Sequence, residues 1–128
     1  MPGALVHLTT GFIMFFIGKY YFRNYFQGEK KTKEKILLLL TCIFFSSIAD
    51  IVLIIYYTTY ILPYCTLLPY HNLIHLFLFP ITITTLFIIT YIVETKRKPI
   101  WIMGMWCLLL HLLMDLIIPD STIPNIWI

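Results

Sequence analysis

Charged residues are scarce in this sequence, at 12% of its 128 positions, which is about half the share that a soluble protein carries. Hydrophobic residues make up 60% of the chain. A soluble domain of this size cannot bury so much apolar surface, because roughly a third of its unfolded area stays in contact with water after folding. The composition therefore excludes a soluble globular enzyme and a disordered chain, and it predicts a small polytopic membrane protein.

Cysteine and glycine are scarce as well. The cysteines (Cys42, Cys65 and Cys107) are odd in number and stand at unrelated positions, which excludes a disulfide scaffold. The sequence has no Gly-rich phosphate loop and no Gly-x-Ser-x-Gly elbow. The net charge of +3 is too weak and too scattered to favour nucleic acid as a partner.

Four stretches are mostly apolar over the roughly 20 residues that a membrane-spanning helix needs. They cover residues 4–22, 36–57, 71–93 and 100–118. We therefore expect an all-α fold, a four-helix transmembrane bundle that forms a single membrane domain over 1–128. Pro63 and Pro69 are expected to break the chain before the third span, and Pro80 is expected to kink it.

The basic residues predict how the bundle is oriented. Six of the nine flank or fill the link between the first two spans, and three fill the link between the last two; they are Lys19, Arg23, Lys30, Lys31, Lys33, Lys35, Lys96, Arg97 and Lys98. In a four-span chain these links share one side, which the positive-inside rule makes cytoplasmic. We expect a multi-pass protein of the cell membrane, with both termini and link 58–70 outside. Tyr20, Tyr21, Tyr25 and Trp101 are expected in the inner interfacial belt.

Six ionisable residues lie within the predicted spans: His7, Asp50, His71, His75, His111 and Asp115. Counting about 1.5 Å per residue places all of them in the outer half of the membrane. Ionisable groups at such depths are costly and indicate function. Cys42 and Cys107 fall in the inner halves of their spans and Cys65 in the outer link. We expect them apart in depth from one another or from this layer, with no disulfide and no metal–thiolate bond.

The spacing of these residues favours a metal site. His111 and Asp115 stand at i and i+4, as do His71 and His75, so each pair projects from one helix face. Imidazoles and carboxylates suit zinc or another divalent first-row ion. The outer side has no Lys or Arg, so the compensating charge must be a bound cation or a protonated histidine.

Simpler interpretations stay open at this point. His7 is also compatible with an interfacial side chain and His71 with the outer loop. The His111–Asp115 pair is compatible with a helix-surface hydrogen bond. Asp50 is compatible with pairing to Ser46 or Ser47.

The motifs around these residues resemble a known family. They read HLTTG at 7–11, ADI at 49–51, HNLIH at 71–75 and HLLMD at 111–115. In order and content they are similar to the membrane-bound metal-dependent hydrolases, the family of the LexA-binding inner-membrane-associated hydrolase, which looks distantly similar to zinc-dependent phospholipases C. The family usually has a second Asp where Val52 stands, and an Arg where Asn72 stands.

The resemblance implies metal-dependent hydrolysis of a lipid or other amphiphilic ester or phosphodiester. All six ionisable residues would be metal ligands, with Asp50 and His71 also catalytic. The main alternative is a small non-catalytic subunit, with or without a bound metal, within a larger membrane complex or homo-oligomer. A proton or ion pathway is disfavoured because the inner half of the spans holds no His, Asp or Glu.

Overall fold

The computed structural model describes residues 4–28, 31–51, 55 and 64–117, and it is all-α over these ranges, as the sequence predicts. The helices are α1 (Ala4–Tyr21), α2 (Arg23–Phe26), α3 (Thr32–Ser47), α4 (Tyr64–Tyr91) and α5 (Lys98–Ile117). A 3-10 turn (Ile48–Asp50) continues directly from α3.

The helix bounds differ from the predicted spans at two places. The α-helical part of the second span ends at Ser47 and tightens into the 3-10 turn, and most of the remainder of that span lies outside the described residues. Helix α4, which corresponds to the third predicted span, begins at Tyr64, seven residues before the predicted start, and Pro69 lies inside it. The predicted break at Pro69 is therefore wrong. The proline ring fixes φ at a value that a helix accepts, at the cost of one backbone hydrogen bond.

Two of the helices are long and apolar enough to cross a membrane: α4 over Leu68–Tyr91, and α5. Among the described residues, α1 with 18 residues and α3 with 16 do not meet the same test of length and composition. The four-span bundle therefore stays a prediction.

Helix α5 lies at the centre of the packing. It contacts α3, α1 and α4, and α1 also packs against α3. Small residues allow these close approaches: a Cβ at Gly11 would lie 2.7 Å from Ser46 Oγ and 3.1 Å from the Cys42 carbonyl oxygen, and one at Gly104 would lie 2.8 Å from Thr41 Cγ2. Gly11 stands one turn after His7, so the close contact of α1 with α3 brings His7 toward the end of α3.

Several polar side chains lie inside the bundle beside an apolar core, and many large apolar side chains lie outside. The buried residues include His7, Ser46, His71, Thr82 and His111, none more than 2% exposed. The exposed residues include many large hydrophobic side chains, among them Leu76, Phe16 and Phe87. Helix α4 contributes strongly to this surface, since only 6% of its most apolar segment is buried. Extended apolar surfaces mark contact with another apolar phase or partner.

The thiols of Cys42 and Cys107 are buried in the α3–α5 contact and lie close enough to interact with each other. The sequence predicts that both lie in the inner halves of their spans, and the structure brings the two together. Both are free cysteines.

The two basic links meet at one end of the bundle. Arg97 Nη2 lies 3.3 Å from Glu34 Oε1, and the Tyr25 hydroxyl donates a hydrogen bond of 3.1 Å to Glu34 Oε2. Tyr25 therefore faces Glu34. Burial raises the pKa of Tyr25, and the hydrogen bond to Glu34 raises it further. Burial acts to raise the pKa of Glu34, but the hydrogen bonds from Arg97 and Tyr25 outweigh it and lower that pKa below its ordinary value of 4.5.

Glu34→Gln should lower thermal stability at neutral pH by a small amount, since Arg97 is well exposed and screened by solvent. A carboxyl whose pKa is lowered on folding stabilises the protein above its unfolded pKa, and this contribution is lost as the pH falls through the folded pKa. The Tm difference between wild type and Glu34→Gln should therefore disappear well below pH 4.5. Glu94→Gln, which changes a 91% exposed side chain, is the matched control. A Tm difference independent of pH would contradict this assignment.

Candidate metal centre

All six ionisable residues singled out in the sequence meet in one cluster, at the end of the bundle opposite the basic links. His7 comes from α1, Asp50 from the 3-10 turn, His71 and His75 from α4, and His111 and Asp115 from α5. We call this set the His/Asp cluster. Four segments far apart in the sequence thus contribute to one site, and α4 and α5 contribute through their i, i+4 pairs.

The two carboxylates occupy the middle of the cluster. Asp50 Oδ2 lies 3.4 Å from His7 Nε2, and Asp50 Oδ1 lies 3.5 Å from His111 Nε2 and 3.8 Å from His71 Nδ1. Asp115 Oδ1 lies 3.6 Å from His7 Nε2. Asp115 Oδ2 lies 2.8 Å from His75 Nε2 and 3.2 Å from His111 Nε2. Each carboxylate therefore contacts three imidazoles.

The 3-10 turn at the end of α3 directs Asp50 toward the other members of the cluster. The turn tightens after Ser47, and Ala49 is fully buried against Leu108 and Leu112 of α5. With Ala49 anchored there, the next residue lies beside His111. The contacts of Asp50 are with histidines, so the alternative in which Asp50 pairs with Ser46 or Ser47 is wrong.

Burial separates the cluster from ordinary surface polar groups. His7 and His111 are 1% exposed and His71 is fully buried. The alternatives that place His7 at the membrane interface and His71 in a loop are therefore wrong, since each residue lies in a helix and faces inward. Both ring nitrogens of His71 and both carboxylate oxygens of Asp115 are buried without a hydrogen bond of good geometry. Buried polar atoms in this state are costly unless a further group satisfies them.

Backbone carbonyls decide the tautomers of two histidines. His111 Nδ1 lies 2.7 Å from the Ser46 carbonyl oxygen, and His75 Nδ1 lies 2.9 Å from the His71 carbonyl oxygen. A carbonyl only accepts, so each Nδ1 carries the proton and donates it. In the neutral rings both Nε2 atoms then hold bare lone pairs, and they lie 3.2 Å apart. Two facing lone pairs require a cation, either a proton or a metal ion. Metal-binding histidines are commonly oriented by such second hydrogen bonds.

The spacing of the polar atoms fits a metal ion. Two ligands of a tetrahedral zinc ion lie about 3.3 Å from each other. The four His–Asp distances of 3.2–3.6 Å around His7 and His111 cluster near this value, and three of them exceed ordinary hydrogen-bond lengths. His7, Asp50, His111 and Asp115 form one group of ligand atoms that lie within 4.8 Å of one another, and Asp50, His71, His75 and Asp115 form another. These residues could hold a metal ion.

A cavity of about 470 Å³ adjoins the cluster between α4 and α5. His71, His75 and Asp115 line its polar end, and the rest of its wall is mostly apolar; the other lining residues are Asn72, Leu76, Phe79, Pro80, Leu112 and Leu116. A larger cavity of about 730 Å³ between α1, α4 and α5 has no His, Asp or Glu in its lining. Of these two cavities, it is therefore the smaller that adjoins the His/Asp cluster.

Sequence reasoning missed one contributor to the site. The Ser46 carbonyl orients His111, and no side-chain pattern could have identified a backbone acceptor.

Comparisons of the chain with protein-family models, with curated proteins and with solved structures find no match. The resemblance to membrane-bound metal-dependent hydrolases thus stays a prediction that rests on the four short motifs.

Proposed function

We propose that the protein is a membrane-embedded metal-dependent hydrolase that acts on a lipid or another amphiphilic ester or phosphodiester. The observation that carries the proposal is the convergence of four imidazoles and two carboxylates with ligand-to-ligand spacing. No Lys or Arg stands between residues 36 and 95 or after residue 98 to neutralise those carboxylates. Zinc or another divalent first-row ion suits this donor set.

The chain supplies the groups that move protons. When bound, a divalent ion supplies a Lewis acid that brings the pKa of a water molecule toward 7. Asp50 or Asp115 accepts a proton from the attacking water through a carboxylate oxygen. His71 is buried, lines the cavity and has no hydrogen bond on either ring nitrogen, so it is placed to pass a proton to the leaving group.

The cavity supports an amphiphilic substrate. Its polar end is formed by His71, His75 and Asp115, while Phe79, Leu112 and similar side chains offer an apolar wall. A scissile polar bond at the cluster, with a hydrocarbon chain along the α4–α5 groove, satisfies both ends. Such a substrate enters sideways from the lipid phase between the two helices that are long and apolar enough to cross a membrane.

The proposed topology has four spans, with both termini and link 58–70 outside. Its support is that the two basic links share one end of the bundle through the Arg97–Glu34 pair, with Trp101 beside them. An impermeant thiol reagent added outside intact cells should label Cys65 and fail to label a Lys31→Cys variant made in a Cys65→Ser background. Buried Cys42 and Cys107 should give little background. Labelling of Lys31→Cys from outside would show that the topology is inverted.

A second candidate function is a non-catalytic, metal-holding subunit of a larger membrane complex. The observation that favours it is Asn72, which lines the cavity at the position where the resembled family carries an Arg. An Arg there would clamp a phosphate or carboxylate of the substrate, whereas an Asn cannot form the same charged fork. Co-purification of stoichiometric partners without hydrolase activity would support this second function.

The deciding experiment is metal analysis of detergent-purified protein together with phospholipid hydrolysis in mixed micelles. Wild type should contain tightly bound metal and release product, and His111→Ala should lose both. Leu110→Ala, on the same helix, is the matched control, because Leu110 packs against the apolar core rather than the cluster. Wild-type protein that retains no metal after purification and reloading would overturn the proposal.

A further inference from the structure

We infer that the His/Asp cluster is built for two divalent cations side by side, with Asp50 and Asp115 each directing one oxygen to each ion. The inference deepens the proposed function, since it rests on the same metal centre. Its basis is that each carboxylate directs one oxygen atom toward His7 and the other toward His71, His75 or His111.

The oxygen atoms of each carboxylate face different imidazoles. Asp50 Oδ2 faces His7, at 3.4 Å, whereas Asp50 Oδ1 faces His71, at 3.8 Å. Asp115 Oδ1 faces His7, at 3.6 Å, whereas its Oδ2 faces His75, at 2.8 Å. His111 lies between the two sides, because its Nε2 atom is 3.5 Å from Asp50 Oδ1 and 3.2 Å from Asp115 Oδ2. A carboxylate that serves a single ion has no need to place its second oxygen among further imidazoles. Here both carboxylates do so, and in the same two directions.

The number of donors exceeds what one ion uses. A tetrahedral site takes four ligands, and fewer from the protein when a position is left for water. Six side chains converge here, and they form two four-membered groups that share Asp50 and Asp115. One ion bound by His7 and His111 would leave both ring nitrogens of His71 buried without a hydrogen bond. A second ion satisfies His71 and His75 with the same carboxylates.

The two positions are unequal. The two His7–Asp distances are even, at 3.4 and 3.6 Å, the two His111–Asp distances are 3.5 and 3.2 Å, and both rings are buried. Around His71 and His75 they are uneven, at 3.8 and 2.8 Å, and these residues line the cavity. The first position is therefore preorganised and enclosed. The second must adjust to bind its ion and is open to the substrate, so it should bind more weakly and exchange faster.

Protons are the competing occupants. Two imidazolium rings would neutralise the two carboxylates and would place a proton between the Nε2 atoms of His75 and His111, which lie 3.2 Å apart. Protonated rings cannot bind metal, so metal stoichiometry separates this alternative from the two-ion centre.

The test is metal stoichiometry measured on the full chain, without reference to hydrolysis. Metal-free protein in detergent is dialysed against Zn²⁺ and then against buffer, and bound zinc is counted per chain. Wild type should take up two ions, with one lost much faster than the other. His71→Ala should hold one ion, and that ion should be the slowly released one. Asn72→Ala, which changes a neighbouring residue in the same cavity, should hold two.

A second measurement detects the coupling between the two ions directly. Wild type loaded with Mn²⁺ should give the electron paramagnetic resonance spectrum of two exchange-coupled ions, which share carboxylate bridges. His71→Ala should give the spectrum of an isolated ion. One ion in wild type that is unchanged in His71→Ala, with an uncoupled Mn²⁺ spectrum, would overturn the two-ion centre and leave the hydrolase proposal standing. Binding of no ion by wild type would overturn both.

Discussion

Asp115→Asn should abolish metal binding and lipid hydrolysis together while leaving the protein folded and inserted. Asp115 is the residue whose oxygens approach His7, His75 and His111, at 3.6, 2.8 and 3.2 Å. Asparagine keeps the shape but removes the charge and replaces one ligand oxygen by an amide nitrogen that cannot bind a cation. Loss of a supporting group beside a metal costs roughly 10–100-fold in affinity, so loss of a central ligand should cost more.

Metal content and phospholipid hydrolysis measured on the same preparation check this result, with circular dichroism to verify helix content. Lys31→Gln, at the basic end of the bundle, is the control and should change neither quantity. Retention of wild-type metal stoichiometry by both Asp115→Asn and His111→Ala would refute the metal site and leave the structural-subunit function in front.

Leu116→Trp should reduce hydrolysis of long-chain substrates by about 10–100-fold with no change in metal content. Leu116 is 73% exposed and lines the cavity between α4 and α5. The larger indole ring should occupy the groove that we assign to the substrate chain. Because the loss of one or two methylene-sized contacts in such a pocket already changes specificity about 10–200-fold, obstruction should raise KM for long chains more than for short ones.

Ile117→Trp is the matched control for this effect. Ile117 is the next residue, is 72% exposed and does not belong to the cavity lining. Both variants add the same ring at the same end of α5, so an effect of surface bulk or of membrane insertion would appear in both. Equal losses in the two variants, or a loss in Leu116→Trp that does not depend on chain length, would refute the assigned substrate groove.

Much of the helical architecture could be predicted from local sequence. Helix α1 ends within one residue of its predicted span, and α5 begins two residues before its own. Apolar runs of this length have few alternatives to helix in an apolar environment, because each backbone polar group must be satisfied internally. Pro69 shows that local sequence does not decide every helix end. A proline that would end many helices is accommodated within α4.

The level of each polar residue along the bundle could also be predicted. Counting residues from the helix ends places His7, Asp50, His75, His111 and Asp115 near one depth, because a helix rises by a constant amount per residue. The same counting places Cys42 and Cys107 in the inner halves of their spans, and their thiols interact across the α3–α5 contact.

The sequence by itself determined the helical class, the concentration of basic residues in two links and the set of six ionisable residues. These properties follow from composition and spacing along one helix at a time. Only the tertiary structure decided which carboxylate oxygen faces which imidazole, that the Ser46 carbonyl holds His111, and that a cavity opens between α4 and α5. The physical reason is that helix rotation and separation depend on contacts between distant segments, such as Gly11 against Ser46 and Gly104 against Thr41, which no local pattern contains.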